Sequence, residues 1–326
     1  MNVLVSGVTG RVGKNLAKSL IADGHQVRGI VLPDDPNLKT AQELGVDCVI
    51  GNLRDYETAV AAIAGVDHVA HLGAMMLWGS DDHNVTLFED NIRGTFNLVN
   101  AAALSGHIER FIFASSDEVY PSLGSLYQPI DEGHPRLSRS FYGLTKIAGE
   151  DFLLHFHRTH GLPVSIARFA LVIEPWEATS RDGWLGRFLY LKPMLGVVEA
   201  RAGQDAAKAL AAQLTSDDTL LIARDSEGDP YLFQCVDVRD LVSGLRLMLT
   251  SPAAVGETFN LSGPAPFAFD QAIPYIAERT GFPVVDARIP GEPIRVRHST
   301  TKARAVLGYA PQYDIFRSID DGLSGS

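Results

Sequence analysis

Cysteine is almost missing from this chain: Cys48 and Cys235 are the only two in 326 residues. They stand far apart, with no Cys-x-x-Cys and no cysteine–histidine ligand spacing. That pattern excludes a disulfide framework and a structural zinc site, and no metal is expected; a reducing, cytoplasmic setting is. Positive charge is short as well. Lys and Arg number 28 against 39 Asp and Glu, for a formal net charge of -11. Nucleic-acid affinity comes mainly from neutralising phosphates with cations, so no nucleic-acid partner is expected. No apolar run approaches the roughly 18 residues of a membrane span. Met1 leads straight into Val3-Leu4-Val5, with neither a basic leader nor a small-residue cleavage site, so neither export nor a membrane partner is expected.

What is present is ordinary globular material: 46% hydrophobic and 21% charged residues, with a length suggesting about two units. In the first half, short apolar runs alternate with longer amphipathic ones, the pattern of a parallel sheet covered by helices on both faces. Strands are expected at Val3–Val5, Gln26–Leu32, Cys48–Ile50, His68–His71, Phe111–Ala114 and Val164–Ala167, and helices near Val12–Ala22, Tyr56–Ala64, Asn91–Leu104 and Phe141–Thr159. From Glu174 to about Pro230 the rhythm breaks into an inserted or separate region, with one amphipathic helix around Ala206–Leu214. Regular elements resume with Phe233–Val236, a helix over Leu241–Leu249 and a strand at Phe259–Leu261. Pro264, Pro266, Pro283, Pro290, Pro293 and Pro311 then predict short helices in the tail. The fold class is α/β, a Rossmann doubly wound parallel sheet spanning 1–173 plus about 231–262, with a smaller, discontinuous C-terminal lobe from about 174–230 plus 263–326.

Gly7, Gly10 and Gly13 follow the first strand, and the amphipathic helix opens at Arg11-Val12. Unpaired amides and the helix dipole bind a phosphate pair only where the backbone comes close, which side chains would obstruct. The loop, with Thr9, Arg11 and Val12, is therefore a dinucleotide-binding candidate; the alternative is a turn that merely needs φ > 0. The second strand should end in an acid for ribose hydroxyls or a base for a 2′-phosphate. Asp34 and Asp35 come slightly late and fit either a ribose contact or a solvated turn, while Arg11 and Arg28 keep a phosphorylated cofactor open. NAD or NADP is expected, NAD first.

Tyr142 and Lys146 are four residues apart at the start of a helix, with Ser138 or Ser140 as N-cap, which puts phenol and ammonium on one face. A phenol of ordinary pKa about 10 is a poor base. A neighbouring ammonium favours phenolate and an oxidised nicotinamide adds positive charge, so the pair suits taking and returning a hydroxyl proton. Ser116, ending the fifth strand, lies where an open α/β sheet meets its ligand. Taken alone, Tyr142 and Lys146 also fit a plain helix-surface pair.

As a set these residues resemble the extended short-chain dehydrogenase/reductase family of nucleotide-sugar epimerases, dehydratases and related oxidoreductases. The match comprises Gly7, Gly10 and Gly13, Tyr142-x-x-x-Lys146, Asn52-Leu53-Arg54-Asp55, His71-Leu72-Gly73-Ala74 and Asn91-Ile92-Arg93-Gly94-Thr95. It continues through Ala114-Ser115-Ser116, Arg168-Phe169, Val236–Asp240 and Phe259-Asn260-Leu261. The resemblance implies that Asn52 and Leu53 flank the adenine, that Leu72, Gly73 and Ala74 line the cofactor, and that Lys146 holds the nicotinamide ribose. It implies Tyr142 as acid/base with Ser116 as its partner, a C-terminal substrate lobe, and a homodimer through helices near Asn91–Leu104 and Phe141–Thr159. The chain departs from it at Glu174-Pro175, where many relatives have Gly-Pro, and at Gln234-Cys235, near a frequent histidine.

Ser116-Asp117-Glu118-Val119-Tyr120 looks like the Thr-Asp-Glu-Val-Tyr of nucleotide-sugar 4,6-dehydratases. Asp117 joins the catalytic candidates on that ground. On an extended segment it and Glu118 would point to opposite sides, and both also fit capping roles. His155, His157 and His160 read as a solvated helix face. Arg295 and Arg297 suit either a diphosphate grip or the surface, and Trp176 and Trp184 either stacking or packing. The expected activity is NAD(P)-dependent removal of hydride from a sugar or nucleotide-sugar carbinol carbon. Alternatives are oxidoreduction of a non-nucleotide alcohol or ketone, and non-catalytic dinucleotide sensing.

Overall fold

The computed structural model describes residues 1–76, 83–121 and 124–325. Its first half contains strands β1 (Asn2–Ser6), β2 (Gln26–Val31), β3 (Asp47–Ile50), β4 (His68–His71), β5 (Arg110–Ser116), β6 (Val164–Phe169) and β7 (Leu171–Ile173). Helices α1 (Arg11–Ala22), α2 (Leu38–Glu43), α3 (Tyr56–Ile63), α4 (Asn84–Leu87), α5 (Gly94–Ser105) and α6 (Phe141–His160) alternate with them. The expected helix at Asn91 starts earlier, because a π-helical turn over Phe88–Arg93 joins α4 to α5.

The second half contributes α7 (Gly186–Leu189), α8 (Leu191–Ala202), α9 (Gln204–Ala211), β8 (Leu220–Arg224), β9 (Leu232–Phe233), β10 (Cys235–Asp237), α10 (Val238–Thr250), β11 (Thr258–Leu261), β12 (Phe267–Ala268), α11 (Phe269–Thr280), β13 (Val284–Arg288), α12 (Thr301–Leu307) and α13 (Ile315–Ser324).

Seven parallel strands form the main sheet in the order β11-β6-β5-β4-β1-β2-β3. The chain winds outward from β1 to β3, then returns to β4 beside β1 and winds the other way. That reversal opens a crevice beyond the carboxyl ends of β1 and β4, where ligands of open α/β sheets bind. Val3, Leu4, Val5, Val69, Ala70, Phe111 and Ile112 are fully buried, which accounts for unbroken apolar runs in strands covered on both faces.

The stretch from 174 to 230 is more regular than the sequence suggests. α8 buries Leu191, Met194 and Val198 on one face, and Pro193 lies in its first turn, where a missing N–H is tolerated. β8 pairs in parallel with β13. The expected strand Phe233–Val236 is split: β9 pairs antiparallel with β12, and β10 pairs parallel with β7. Nor are all tail helices short. α11 runs twelve residues through Pro274, held by buried Phe269, Ala272, Ile273 and Ile276. Apolar side chains from this half form a second core, including Tyr190, Leu221, Phe233, Phe269 and Ile319. Helices α10 and α12 and strand β11 belong instead to the core of the main sheet, through Leu241, Leu245 and Met248, through Ala303 and Leu307 with the following Tyr309, and through Phe259 and Leu261.

Candidate active site

The glycine loop leaves β1 through Gly7 at φ +68°, a conformation that excludes most side chains. A Cβ on Gly7 would stand 2.7 Å from Gly73 Cα, and one on Gly13 would stand 2.1 Å from the Gly7 carbonyl oxygen. Loop, helix α1 and the segment after β4 thus meet backbone to backbone. Gly10 is the N-cap of α1, and no side-chain cap covers the helix end. This bare cradle fits a pyrophosphate. Thr9 Oγ1 donates to Asp35 Oδ2 at 2.7 Å, bringing that carboxylate onto the loop, while Asp34 is exposed. Arg28 is turned away, its Nε on Asp47 at 2.7 Å; a 2′-phosphate role for it falls, because it sits mid-strand.

Beyond β4, Gly73 N donates to Ser6 Oγ at 3.0 Å, and Ser6 Oγ also contacts His71 Nδ1 at 2.6 Å. Burial, with Lys146 nearby, pushes His71 down to about 3, so it is a neutral strut. Leu72 and Ala74 line the cleft with Arg11 and Val12. Asn52 and Leu53 stand after β3 and outside the lining of that cleft. The Asn52 carboxamide oxygen accepts from Arg54 N at 2.9 Å, and the Leu53 carbonyl from Asn97 Nδ2 at 2.8 Å.

The cleft, about 1100 Å³, runs from the glycine loop past Ser116, Asp117, Glu118, Tyr142 and Lys146 into the C-terminal lobe. Ser140 is the N-cap of α6, its Oγ accepting from Gly143 N at 3.0 Å. Lys146 Nζ donates to the Ala114 carbonyl at 2.7 Å and lies 5.5 Å from the centre of the Tyr142 ring. Burial brings Lys146 down to about 7, partly offset by Glu150.

In the protein by itself, Tyr142 is not acidified. Burial, then Asp117 and Glu118, push its phenol up, and the Ser116 hydroxyl is the one group pulling it down. Asp117, raised to about 7 by burial and by Glu118, accepts from Ser116 Oγ at 3.2 Å. Glu118, also raised by burial, accepts from Ser140 Oγ at 3.0 Å. The two acids lie on a 3-10 turn over Asp117–Val119, not an extended strand, so both line the cleft while facing different neighbours.

Residues 3–188 match the NAD dependent epimerase/dehydratase family. The chain belongs to that family. It is 26% identical to the 3β-hydroxysteroid dehydrogenase/Δ5→4-isomerase of Mycobacterium tuberculosis, an alignment covering 98% of this chain and 89% of that one. A Bacillus subtilis protein named as a UDP-glucose epimerase is 25% identical over 99% of this chain and 96% of its own. A short-chain dehydrogenase/reductase superfamily protein from Agrobacterium tumefaciens, solved with bound NAD, superposes with a TM-score of 0.89 at 32% identity, covering 99% of this chain and 96% of that one.

In this epimerase/dehydratase chain, several contributors carry weak sequence signals. Asn91, buried in the π turn, clamps Met75 through both N–H and C=O, at 2.7 and 2.8 Å, and reaches Thr145 Oγ1 at 3.2 Å. Its place in a helical pattern hides that role. Behind α6, Glu150 receives Arg168 through two bonds of 2.8 and 2.7 Å and Ser115 Oγ at 2.6 Å. Arg11 donates to the Val172 carbonyl at 2.8 Å and to Glu177 at 2.6 Å.

Arg139, Arg187 and Arg201 line the substrate end of the cleft. Arg295 instead pairs with Asp225 at 2.6 Å, and Arg297 is exposed; a diphosphate grip by those two falls, because neither lines the cleft. Trp184 lines it with Arg187 stacked on its ring, whereas Trp176 is half-exposed and donates to Glu174. No cluster of metal-ligating side chains exists among the described residues. Nor, among them, is any helix long and apolar enough to cross a membrane.

Proposed function

We propose that this protein is an NAD-dependent oxidoreductase of the epimerase/dehydratase type, acting on a secondary alcohol of a sugar or nucleotide sugar. The observation that carries the reading is the convergence of Tyr142, Lys146 and Ser116 on a cleft that begins at the glycine cradle. Gly7, Gly10 and Gly13 hold the pyrophosphate, with Thr9, Arg11 and Val12 around it; Asp35 holds the adenosine ribose. Asn52 and Leu53 flank the adenine, and Leu72, Gly73 and Ala74 flank the nicotinamide end.

When bound, NAD accepts hydride from the carbinol carbon and brings a positive charge to the site. The chain's own residues do the rest. Ser116 holds the reacting oxygen, Tyr142 takes the hydroxyl proton, and Lys146 binds the nicotinamide ribose. Tyr142 is protonated in the protein by itself, so added positive charge beside the ring is what makes it a base. Asp117, whose carboxyl burial and Glu118 raise to about 7, supplies a second proton for rearrangement or water loss next to the oxidised carbon.

A second reading, an alcohol or ketone with an apolar body, is favoured by Trp184, Phe188, Met194, Val197, Phe233, Ile294 and Val296 around the substrate end. The Mycobacterium tuberculosis relative, named as a hydroxysteroid dehydrogenase, supports it. We also propose a cytoplasmic homodimer through α5 and α6, where Phe96 and Leu104 on α5, Leu144 on α6 and Phe88 in the preceding π turn remain exposed. The lobe from about 174–230 plus 263–326 receives the substrate.

The deciding experiment follows NADH absorbance and products on panels of UDP-sugars and hydroxysteroids with wild type and Tyr142→Phe. Turnover is expected to fall at least about 100-fold with NAD still bound. Retained turnover sinks the proposal, and binding without turnover on either panel favours a sensor.

A further inference from the structure

Two proton-bearing groups flank Ser116, and the second of them has a partner that belongs to another part of the chain. Ser116 Oγ donates to Asp117 Oδ1, while Oδ2 faces His298 Nε2 at 3.6 Å. His298 comes from the segment that follows Ile294 and Val296, both lining the cleft. A bridge to Ile130 and a 2.7 Å bond from its own backbone N–H to Gln234 Oε1 fix its position. Its side chain is 3% exposed.

One nitrogen of that ring settles the tautomer. Nδ1 is buried and has no partner among the described residues. An unpaired buried N–H costs more than an unpaired lone pair, so the ring hydrogen belongs on Nε2, aimed at Asp117. At 3.6 Å the pair is too long for a hydrogen bond, but a small shift closes it. The other titratable groups facing Asp117 are Glu118 on the same turn and Tyr142 from α6. Both add negative charge when ionised, whereas His298, which reaches Asp117 from the C-terminal lobe, offers an N–H.

We propose that His298 is the positioning residue for Asp117, donating Nε2–H to its carboxylate as the acid gives up its proton. In that step the Asp117 O–H bond breaks, its proton passes to a substrate oxygen, and the carboxylate is left hydrogen-bonded to a neutral His298; no electron changes hands. The directions of the two pKa shifts agree with an uncharged His298 beside a carboxyl that still carries its proton, since burial raises Asp117 to about 7 and lowers His298 to about 4. The inference rests on the reading of this cleft as an active site, but its test needs no substrate.

The test is a pH titration of the carboxylic-acid infrared band of the protein with NAD added, taken as wild type minus Asp117→Asn. The Asp117 midpoint is expected to rise by about one pH unit in His298→Phe and to return toward wild type in His298→Gln, whose amide can donate. Unmoved midpoints overturn the proposal. Should His298→Phe fail to fold, nitrogen-15 spectra of histidine-labelled wild type keep it open to refutation. The His298 signal should show hydrogen on Nε2 and shift as Asp117 ionises, and Asp117→Asn should abolish the shift. Hydrogen on Nδ1, or a signal indifferent to Asp117, overturns the proposal. Loss of turnover in Tyr142→Phe with this titration intact separates the two readings.

Discussion

The Glu177 carboxylate accepts from Arg11 Nη2 at 2.6 Å, joining the start of helix α1 to the turn that opens the C-terminal lobe. Glu177 is 1% exposed at its side chain and also accepts from the Glu174 and Trp184 backbone N–H groups, at 2.9 and 3.3 Å. The carboxylate therefore ties the start of α1 to Trp184, and both Arg11 and Trp184 line the cleft. Glu177→Ala removes a buried carboxylate that accepts three hydrogen bonds, so unfolding should become easier by about 2 kcal/mol. The same variant should weaken NAD binding, because the guanidinium beside the cradle loses its carboxylate partner and keeps only the Val172 carbonyl. Urea unfolding and a fluorescence titration with NAD check both; wild-type values in each would show that the contact joins nothing.

Gly13→Ala tests the cradle itself. A Cβ there would sit 2.1 Å from the Gly7 carbonyl oxygen, so helix and loop must separate at a strain of about 1–3 kcal/mol. If the cradle binds pyrophosphate, NAD affinity should drop by roughly tenfold, the equivalent of about 1.4 kcal/mol. Calorimetric titration with NAD reads this directly.

Glu150→Gln probes the support behind α6. It leaves the buried Arg168 guanidinium, with Nε and Nη2 formerly 2.8 and 2.7 Å from the carboxylate, facing a neutral group. Breaking a buried pair from one side costs about 3–5 kcal/mol. Because Glu150 also raises the Lys146 pKa, its removal should move that lysine further down. Thermal unfolding gives the first effect, and the pH profile of turnover gives the second.

Lys146 makes stability depend on pH with a definite sign. Its folded value of about 7 lies below the ordinary 10.5. Between those values the unfolded chain holds more protons than the folded one, so stability rises with pH. Below about 7 both states are protonated and the full burial cost is present. Lys146→Met removes this contribution. From pH 7 to pH 9 the urea midpoint of wild type should rise relative to that of the variant, and parallel curves would place the ammonium in water.

The glycine loop, the alternation of strands and helices to Phe169, and Tyr142 with Lys146 were legible from the sequence alone. Each is written in neighbouring residues: a loop in its glycines, a buried strand in an apolar run, a helix face in residues four apart. The region from 174 to 230 was less legible, because α8 contains Pro193 and Gly196 and is stabilised mainly by what it packs against. Tertiary structure alone decided that Asp117 meets His298, that Arg11 is held by Glu177, and that Arg139 and Arg201 rather than Arg295 and Arg297 face the cleft. It also buried the Tyr142 phenol beside Asp117 and Glu118, which pushes it up in the protein by itself. Acidity and pairing depend on burial and on charges from distant parts of the chain, and those quantities come into being only when the chain closes on itself.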